Sequence, residues 1–296
     1  METLLNVLVV GILLGGIYGL VSIGLNLIFG VIRIVNFAQG ELVMLGMYGA
    51  FLCYSMLGLD PYVSTLIVVP AMFLFGVIVQ RVVIQPLQAE SSMQIFATFG
   101  LLTVLQNVVL VLTRGEGYSV ASKVASFSIA IGEIRITGTR LLILIAVTAI
   151  AVLLHLFLQR TLIGKSIRAV TQDRQAARLM GINVERTFII TFGIGSALAG
   201  LAGALIAPIY TLSPGIGGNF ILAAFAVVVL GGLGSVAGAW AGGMIVGIVE
   251  AFAGYYIDPE LKQAIWFLIF LLVLVVKPTG LFGQVGAEEV GFREQS

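Results

Sequence analysis

Residues 164–186 read GKSIRAVTQDRQAARLMGINVER, and the stretch that follows, from Thr187 to Val249, contains no Asp, Glu, Lys or Arg. Six of the fifteen Lys and Arg residues of the chain lie within 159–186, between apolar stretches. Cationic loops of membrane proteins are retained on the cytoplasmic side. The pattern therefore predicts a chain that lies mostly in lipid and exposes one sizeable cytoplasmic segment, residues 159–186.

The composition of the chain predicts an integral α-helical membrane protein. Charged residues make up 10% of the 296 residues, hydrophobic residues 59%, and the mean hydropathy is +1.13, whereas a soluble domain has about 25% charged residues. The net charge of +1 offers no electrostatic basis for binding nucleic acid. The single cysteine, Cys53, lies in an apolar run and is interpreted as a small packing residue.

Nine apolar segments of membrane-spanning character can be drawn. They are 4–29, 41–58, 62–80, 93–113, 139–158, 187–208, 220–232, 236–254 and 261–277. The glycines at 231, 232 and 234 interrupt the seventh and eighth segments, which form either a hairpin of two spans or one broken helix. We predict an all-α fold: one polytopic membrane helix bundle over residues 1–296, with about eight or nine spans and some broken or short helices.

Glycine spacing within these segments predicts close helix packing. Many glycines are four residues apart, which lets helix backbones approach each other in lipid. The series are Gly11, Gly15 and Gly19; Gly234, Gly238 and Gly242; and Gly243 and Gly247.

The distribution of Lys and Arg predicts the orientation of the chain. With nine spans and 159–186 inside, the N-terminus lies outside and the C-terminus inside. The inside segments then hold Arg33, Arg81, Arg160, Lys165, Arg168, Arg174, Arg178, Arg186, Lys277 and Arg293, and the outside segments hold Arg114, Lys123, Arg135, Arg140 and Lys262. This excess of basic residues inside agrees with the positive-inside rule.

The longest predicted external segment is 114–138. Its alternating apolar residues flank Gly132-Glu133, which suits a β-hairpin with a type II′ turn. Such a hairpin either caps the external helix ends or forms a contact surface for an external solute-binding protein.

Motifs for catalysis or metal binding are not recognisable in the sequence. Gly164-Lys165-Ser166 resembles the end of a P-loop, but the first glycine of that motif is replaced by Gln159, so we do not expect this chain to bind ATP. We expect no metal ligands, no catalytic residues and no cofactor in this chain, which is therefore not predicted to be an enzyme. Glu41 and Glu250 are interpreted either as interfacial carboxylates or as members of a proton relay.

The polar segment contains a predicted short helix. Thr171–Met180 consists of helix-forming residues, and Gly181 is a typical helix stop. Ala176 and Ala177 are small enough to enter a groove of a partner protein, with Arg174 and Arg178 at its rim. The alternative is a solvated amphipathic connector.

These residues also carry a family resemblance. The sequence QAARLMG of 175–181 resembles the EAA-x3-G coupling motif of ABC importer permeases, with Gln175 in place of the commoner Glu. The wider stretch GKSIRAVTQDRQAARLMGINVERTFIITFGIGSALAGLAGAL, the stretch GVIRIVNFAQGE of 30–41 and the stretch VLGGLGSVAG of 229–238 are similar to the branched-chain amino acid permeases.

The resemblance implies a membrane subunit of an ATP-driven importer. Its expected partners are a second related permease subunit, two ABC ATPase subunits that bind ATP and Mg²⁺, and a periplasmic or lipoprotein solute-binding protein. The expected location is the cytoplasmic membrane of a bacterium or archaeon. The residues expected to couple to an ATPase are Asp173, Arg174, Gln175, Ala176, Ala177, Arg178 and Gly181.

A path for branched-chain amino acids should be apolar with a few neutral polar groups. The candidates are Asn26, Asn36, Gln39, Gln106, Asn107 and Asn219. For each, interhelical hydrogen bonding without solute contact is the alternative. Urea, short amides and aromatic or other carboxylates are alternative solutes. An ion-coupled secondary carrier is the alternative from another class, since sodium sites made of carbonyl groups leave no mark in a sequence.

Overall fold

The computed structural model describes residues 2–87, 90–123, 127–131, 134–277 and 280–281. Over these residues the chain forms α-helices and one short β-hairpin. The helices are α1 (Glu2–Ile32), α2 (Gln39–Leu57), α3 (Pro61–Val79), α4 (Ser91–Thr113), α5 (Gly138–Arg160), α6 (Leu162–Gln172), α7 (Arg174–Leu179), α8 (Val184–Ile206), α9 (Ile216–Gly231), α10 (Val236–Tyr256) and α11 (Lys262–Val276), and the strands are β1 (Ser128–Ile131) and β2 (Ile134–Thr137). After α3, a π-helical turn and a 3₁₀ turn continue the helix to Leu87.

All nine predicted apolar segments are helices. Within the described residues, seven helices are long and apolar enough to cross a membrane, and α9 and α11 are shorter apolar helices. The seventh and eighth segments form a hairpin of two helices, because Gly231 near the end of α9 lies against Gly238 near the start of α10. With 16 residues, α9 is about 24 Å long, less than the ~30 Å hydrocarbon core of a bilayer.

Contacts between loops show which loops lie together at each of the two ends of the bundle. At one end, which we call the cationic end, the Arg174 guanidinium donates to the carbonyl of Ile32 at 2.8 Å, and the Leu281 N–H donates to the carbonyl of Leu230 at 2.8 Å. At the other end, the hairpin end, Tyr118 pairs with Leu212 through two backbone hydrogen bonds. The basic residues of the described part divide between these ends as the sequence predicted, and Arg293 lies outside the described residues.

Helices α1 and α10 pack backbone to backbone along the predicted glycines. A Cβ added to Gly15 would lie 2.7 Å from Met244 Cα, and one added to Gly11 would lie 2.7 Å from Ile248 Cα. On the other helix, Gly243 lies against the backbone of Gly19. The predicted glycine packing is therefore confirmed for these two helices.

The predicted hairpin of the external segment is confirmed in its strands. Strands β1 and β2 pair antiparallel, with Ile131 opposite Ile134. The turn residues Gly132 and Glu133, for which a type II′ turn was predicted, lie outside the described residues. Asp60 connects this segment to the start of α3, because its carboxylate accepts hydrogen bonds from Ser122 Oγ at 2.9 Å and from the Tyr62 N–H at 3.0 Å.

Candidate functional site: a docking helix and a polar helix junction

The polar segment forms two helices, which corrects the prediction of one helix over Thr171–Met180. Asp173 has extended backbone angles (φ −152°, ψ 114°), so α6 ends at Gln172 and α7 begins at Arg174. The Asp173 carboxylate accepts the N–H groups of Gln175 at 2.8 Å and Ala176 at 2.9 Å. An aspartate satisfies free N–H groups at a helix start, and this capping explains why the helix is interrupted at Asp173.

Helix α7 is anchored to the bundle on one side. Arg174 donates to the Ile32 carbonyl at the end of α1, and its guanidinium lies 5.1 Å from the centre of the Phe188 ring on α8. Ala177 is 4% exposed and packs into the main hydrophobic core. The predicted helix stop is confirmed, because Gly181 adopts φ +82°, a conformation that L side chains rarely adopt.

The outer side of α7 is an exposed surface with an apolar tip. Leu179 is 89% exposed and Met180 is 82% exposed, and Gln175, Ala176 and Arg178 are exposed beside them. The expectation that Ala177 itself enters a partner is not supported by its burial, because its methyl group faces this chain. Ala177 and Arg174 hold the helix in place. The five exposed residues form a surface that we call the docking surface, after the role proposed for it below: Gln175, Ala176, Arg178, Leu179 and Met180.

The side chain of Asn26 on α1 is hydrogen-bonded to the short loop between α9 and α10. Its Nδ2 donates to the carbonyls of Ser235 at 2.7 Å and Gly232 at 3.2 Å, and its Oδ1 accepts the Gly234 N–H. The side chain is completely buried. The geometry favours the structural alternative for this path candidate, since all of its polar atoms are bound to backbone.

We expect Asn26→Leu to destabilise the protein, because it removes three hydrogen bonds between α1 and the α9–α10 connection. Each lost hydrogen bond costs about 0.5–1.5 kcal/mol, so the melting temperature in detergent should fall by several degrees. The matched control is Asn107→Leu, because Asn107 is exposed and donates only to Thr103 of its own helix. Equal melting temperatures for the two variants would contradict this role of Asn26.

Asn36 and Gln39 lie together at the start of α2. Asn36 Nδ2 donates to Gln39 Oε1 at 3.3 Å, and Asn36 Oδ1 accepts the Ala38 N–H. Both side chains are completely buried. Gln39 Nε2 has no hydrogen-bond partner among the described residues and lies beside Gly24 of α1.

The other three path candidates lie on α4, which is largely exposed, and on α9, which is mostly buried. Gln106 is half-buried on α4, and its Nε2 would be 3.7 Å from a Cβ on Gly215, just before α9. Asn107 and Asn219 are exposed, on α4 and on the first turn of α9 respectively. The structure therefore places Gln106 near the start of α9, and it gives Asn26 hydrogen-bond partners different from those of the Asn36–Gln39 pair.

Both acidic candidates for membrane depth are buried, at 3% exposure for Glu41 and 4% for Glu250. Glu250 has two partners: the Tyr18 hydroxyl donates to it at 2.7 Å and Lys262 Nζ lies 3.3 Å away. Glu41 Oε2 has no partner among the described residues. In the sequence, Glu41 lies near a predicted segment end and is not among the path candidates, although an acid beside Gln39 at the start of an apolar segment marks a polar position.

The fold over the described residues is that of a polytopic α-helical membrane protein, with the exposed helix α7 at its cationic end. The family model for the permease component of the branched-chain amino acid transport system matches residues 7–274, and this chain belongs to that family. It is 33% identical to the high-affinity branched-chain amino acid transport system permease protein LivH of Escherichia coli, over 95% of this chain and 96% of that protein.

Two further relatives extend the likeness. The chain is 32% identical to the high-affinity branched-chain amino acid transport system permease protein BraD of Pseudomonas aeruginosa, over 97% of this chain and 98% of BraD. It is 29% identical to a probable branched-chain amino acid transport permease protein of Methanocaldococcus jannaschii, over 89% and 88% of the two chains. No solved structure matches the chain.

Proposed function

We propose that this chain is a membrane subunit of an ATP-driven importer and moves branched-chain amino acids through the cytoplasmic membrane. The docking surface on α7 carries this proposal. A short helix fixed by Arg174 to α1 and α8 can transmit a push from a partner to two membrane helices, because its anchors are rigid parts of the bundle. ATP and Mg²⁺ belong to the ATPase partners, which contact Leu179 and Met180 at the cationic end.

Exposed polar groups on α4 and α9 support pairing with a second permease subunit. A polar amide exposed to lipid is costly, yet Asn107, which donates to Thr103 of its own helix, and Asn219 are exposed on apolar helices. Only 11% of the most apolar stretch of α4 is buried within this chain. A related subunit facing α4 and α9 would cover these amides and enclose the path between the two chains.

The hairpin end is the receiving side in this proposal. The positive-inside rule places the cationic end in the cytoplasm, so the β1–β2 hairpin and the Tyr118–Leu212 pairing face outward. A solute-binding protein that docks there would deliver the amino acid near the start of α9, beside Gln106. The solute is assigned from the relatives LivH and BraD, whose names state branched-chain amino acid transport.

The function is tested by purifying the native complex and reconstituting it in liposomes. We expect two ATPase subunits, a second permease and a solute-binding protein to copurify, and leucine uptake to require ATP and that binding protein. If the liposomes take up urea, short amides or aromatic carboxylates instead of leucine, that compound is the solute and the proposed solute is wrong. Leucine uptake driven by a sodium or proton gradient without ATP would show a secondary carrier and contradict the proposal.

A further inference from the structure

The first turn of α2 lies inside the bundle rather than at the cationic end. A Cβ added to Gly24 of α1 would lie 3.0 Å from Gln39 Nε2, and Gly24 is eight residues from the end of α1 at Ile32. At 1.5 Å per residue, the start of α2 is therefore about 12 Å into the bundle. Residues 33–38, which are not helical, lead the chain to this depth.

The starts of α2 and α9 meet at this junction. Gly40 and Gly217 are in backbone contact, and a Cβ added to Gly217 would lie 2.8 Å from Glu41 Oε1. The first N–H groups of a helix have no intrahelical partner and carry partial positive charge. Two such helix starts beside each other favour an anionic group between them, as in the broken helices of other transporters.

Glu41 and Gln39 add two buried polar atoms without partners to the junction. Glu41 Oε2 and Gln39 Nε2 are both inaccessible to solvent, and neither has a hydrogen-bond partner among the described residues. The one ion pair between described residues joins Lys262 to Glu250, so no described basic residue pairs with Glu41. Burial of an ionised carboxylate without a partner is costly, and a bound cation would remove that cost.

An aromatic cluster borders the same junction. Phe37, two residues before Gln39, has its ring 5.4 Å from that of Phe225 on α9 and 6.3 Å from that of Phe99 on α4. Phe99 is 57% exposed, so the cluster reaches the outer surface of the chain on α4. Aromatic rings supply a large apolar contact for a branched aliphatic side chain.

From this arrangement we propose that Glu41 binds the ammonium group of the transported amino acid at the α2–α9 junction. The helix starts and Gln39 Nε2 receive the substrate carboxylate, and Phe37, Phe99 and Phe225 contact its side chain. This assignment rests on the proposed function and adds the site that distinguishes an α-amino acid from the corresponding acid without an amine. Because ATP drives the importer, the Glu41 carboxylate does not need to bind a coupling ion.

The test measures leucine binding to the assembled complex by protection of a cysteine. Gly218→Cys, in a Cys53→Ala background, places a thiol on the first turn of α9, where an added Cβ meets no neighbour. Leucine should slow maleimide labelling of this thiol, and isocaproate, which is leucine without its ammonium group, should not. Glu41→Gln keeps the shape of the side chain and removes its charge. Added to this background, it should raise the leucine concentration needed for half-maximal protection about tenfold or more, the usual scale for hydrogen bonds to charged groups.

Glu250→Gln is the matched control, because Glu250 is equally buried but already bound to Tyr18 and Lys262. It should leave leucine protection unchanged. Full protection in the Glu41→Gln complex, or equal protection by leucine and isocaproate in the wild type, would overturn the inference while leucine transport stands. A wild-type complex that transports no leucine would instead overturn the proposed function, and this inference would fall with it.

Discussion

Leu179→Asp combined with Met180→Asp is expected to abolish ATP-driven uptake. Both side chains are more than four-fifths exposed at the tip of α7, so the change should not disturb the fold of this chain. In the complex, each aspartate would bury an unpaired charge at the contact with an ATPase, which costs several kcal/mol. The ATPase subunits should no longer copurify, and uptake should fall by at least about a hundredfold.

The chain offers a matched control for this variant at the other end of the bundle. Met56 and Leu57 are an adjacent pair of the same residue types, 79% and 61% exposed, at the end of α2. Met56→Asp with Leu57→Asp should retain the ATPase subunits. Normal copurification of the Leu179 and Met180 variant would show that α7 is not the docking helix. Ala177→Arg is a weaker test, because this variant would lose uptake through loss of the anchoring of α7, whether or not α7 binds an ATPase.

Gly203→Leu is expected to prevent stable folding. A Cβ at Gly203 of α8 would overlap the carbonyl oxygen of Val43 and lie 2.7 Å from the Met47 nitrogen of α2. These neighbours are backbone atoms, so only separation of the two helices could relieve the overlap. Overpacking typically costs about 1–3 kcal/mol and occasionally more, and a leucine against backbone belongs at the upper end.

The measurement for Gly203→Leu is the amount of monodisperse protein in size-exclusion chromatography, followed by thermal melting. The matched control is Gly100→Leu, because a Cβ at Gly100 of α4 meets no neighbour within 4 Å. We expect the Gly100 variant to elute and melt like the wild type and the Gly203 variant to aggregate. A Gly203→Leu protein that melts like the wild type would disprove the close crossing of α2 and α8.

Membrane class, the positions of the apolar helices and several helix ends followed from local properties of the chain. Hydropathy marked every apolar helix, because a span needs about 20 consecutive apolar residues. The left-handed backbone conformation at a helix end is also predictable locally, because glycine adopts it most readily, as Gly181 does. The glycine series of α1 and α10 predicted close packing because small residues at a spacing of four lie on one helix face.

The interruption at Asp173 and the direction of Ala177 were not predicted correctly. Thr171–Met180 contains no helix breaker, so its composition favoured one helix. Asp173 instead caps α7, and the next residue, Arg174, is anchored to Ile32, which is 142 residues away in sequence. Ala176 and Ala177 are equivalent in composition, and only the packing of α7 on the core distinguishes the exposed alanine from the buried one.

By itself, the sequence determined that this protein is a helical membrane protein with a cationic segment, because hydropathy, charge and glycine spacing act over a few residues. Only the tertiary structure decided which polar groups are bound to backbone and which are left without a partner. Asn26 and Gln39 are both buried amides near glycines, yet one is completely bonded and the other is not. The reason is physical: satisfaction of a buried polar atom depends on groups far away in sequence, which come together only when the helices pack.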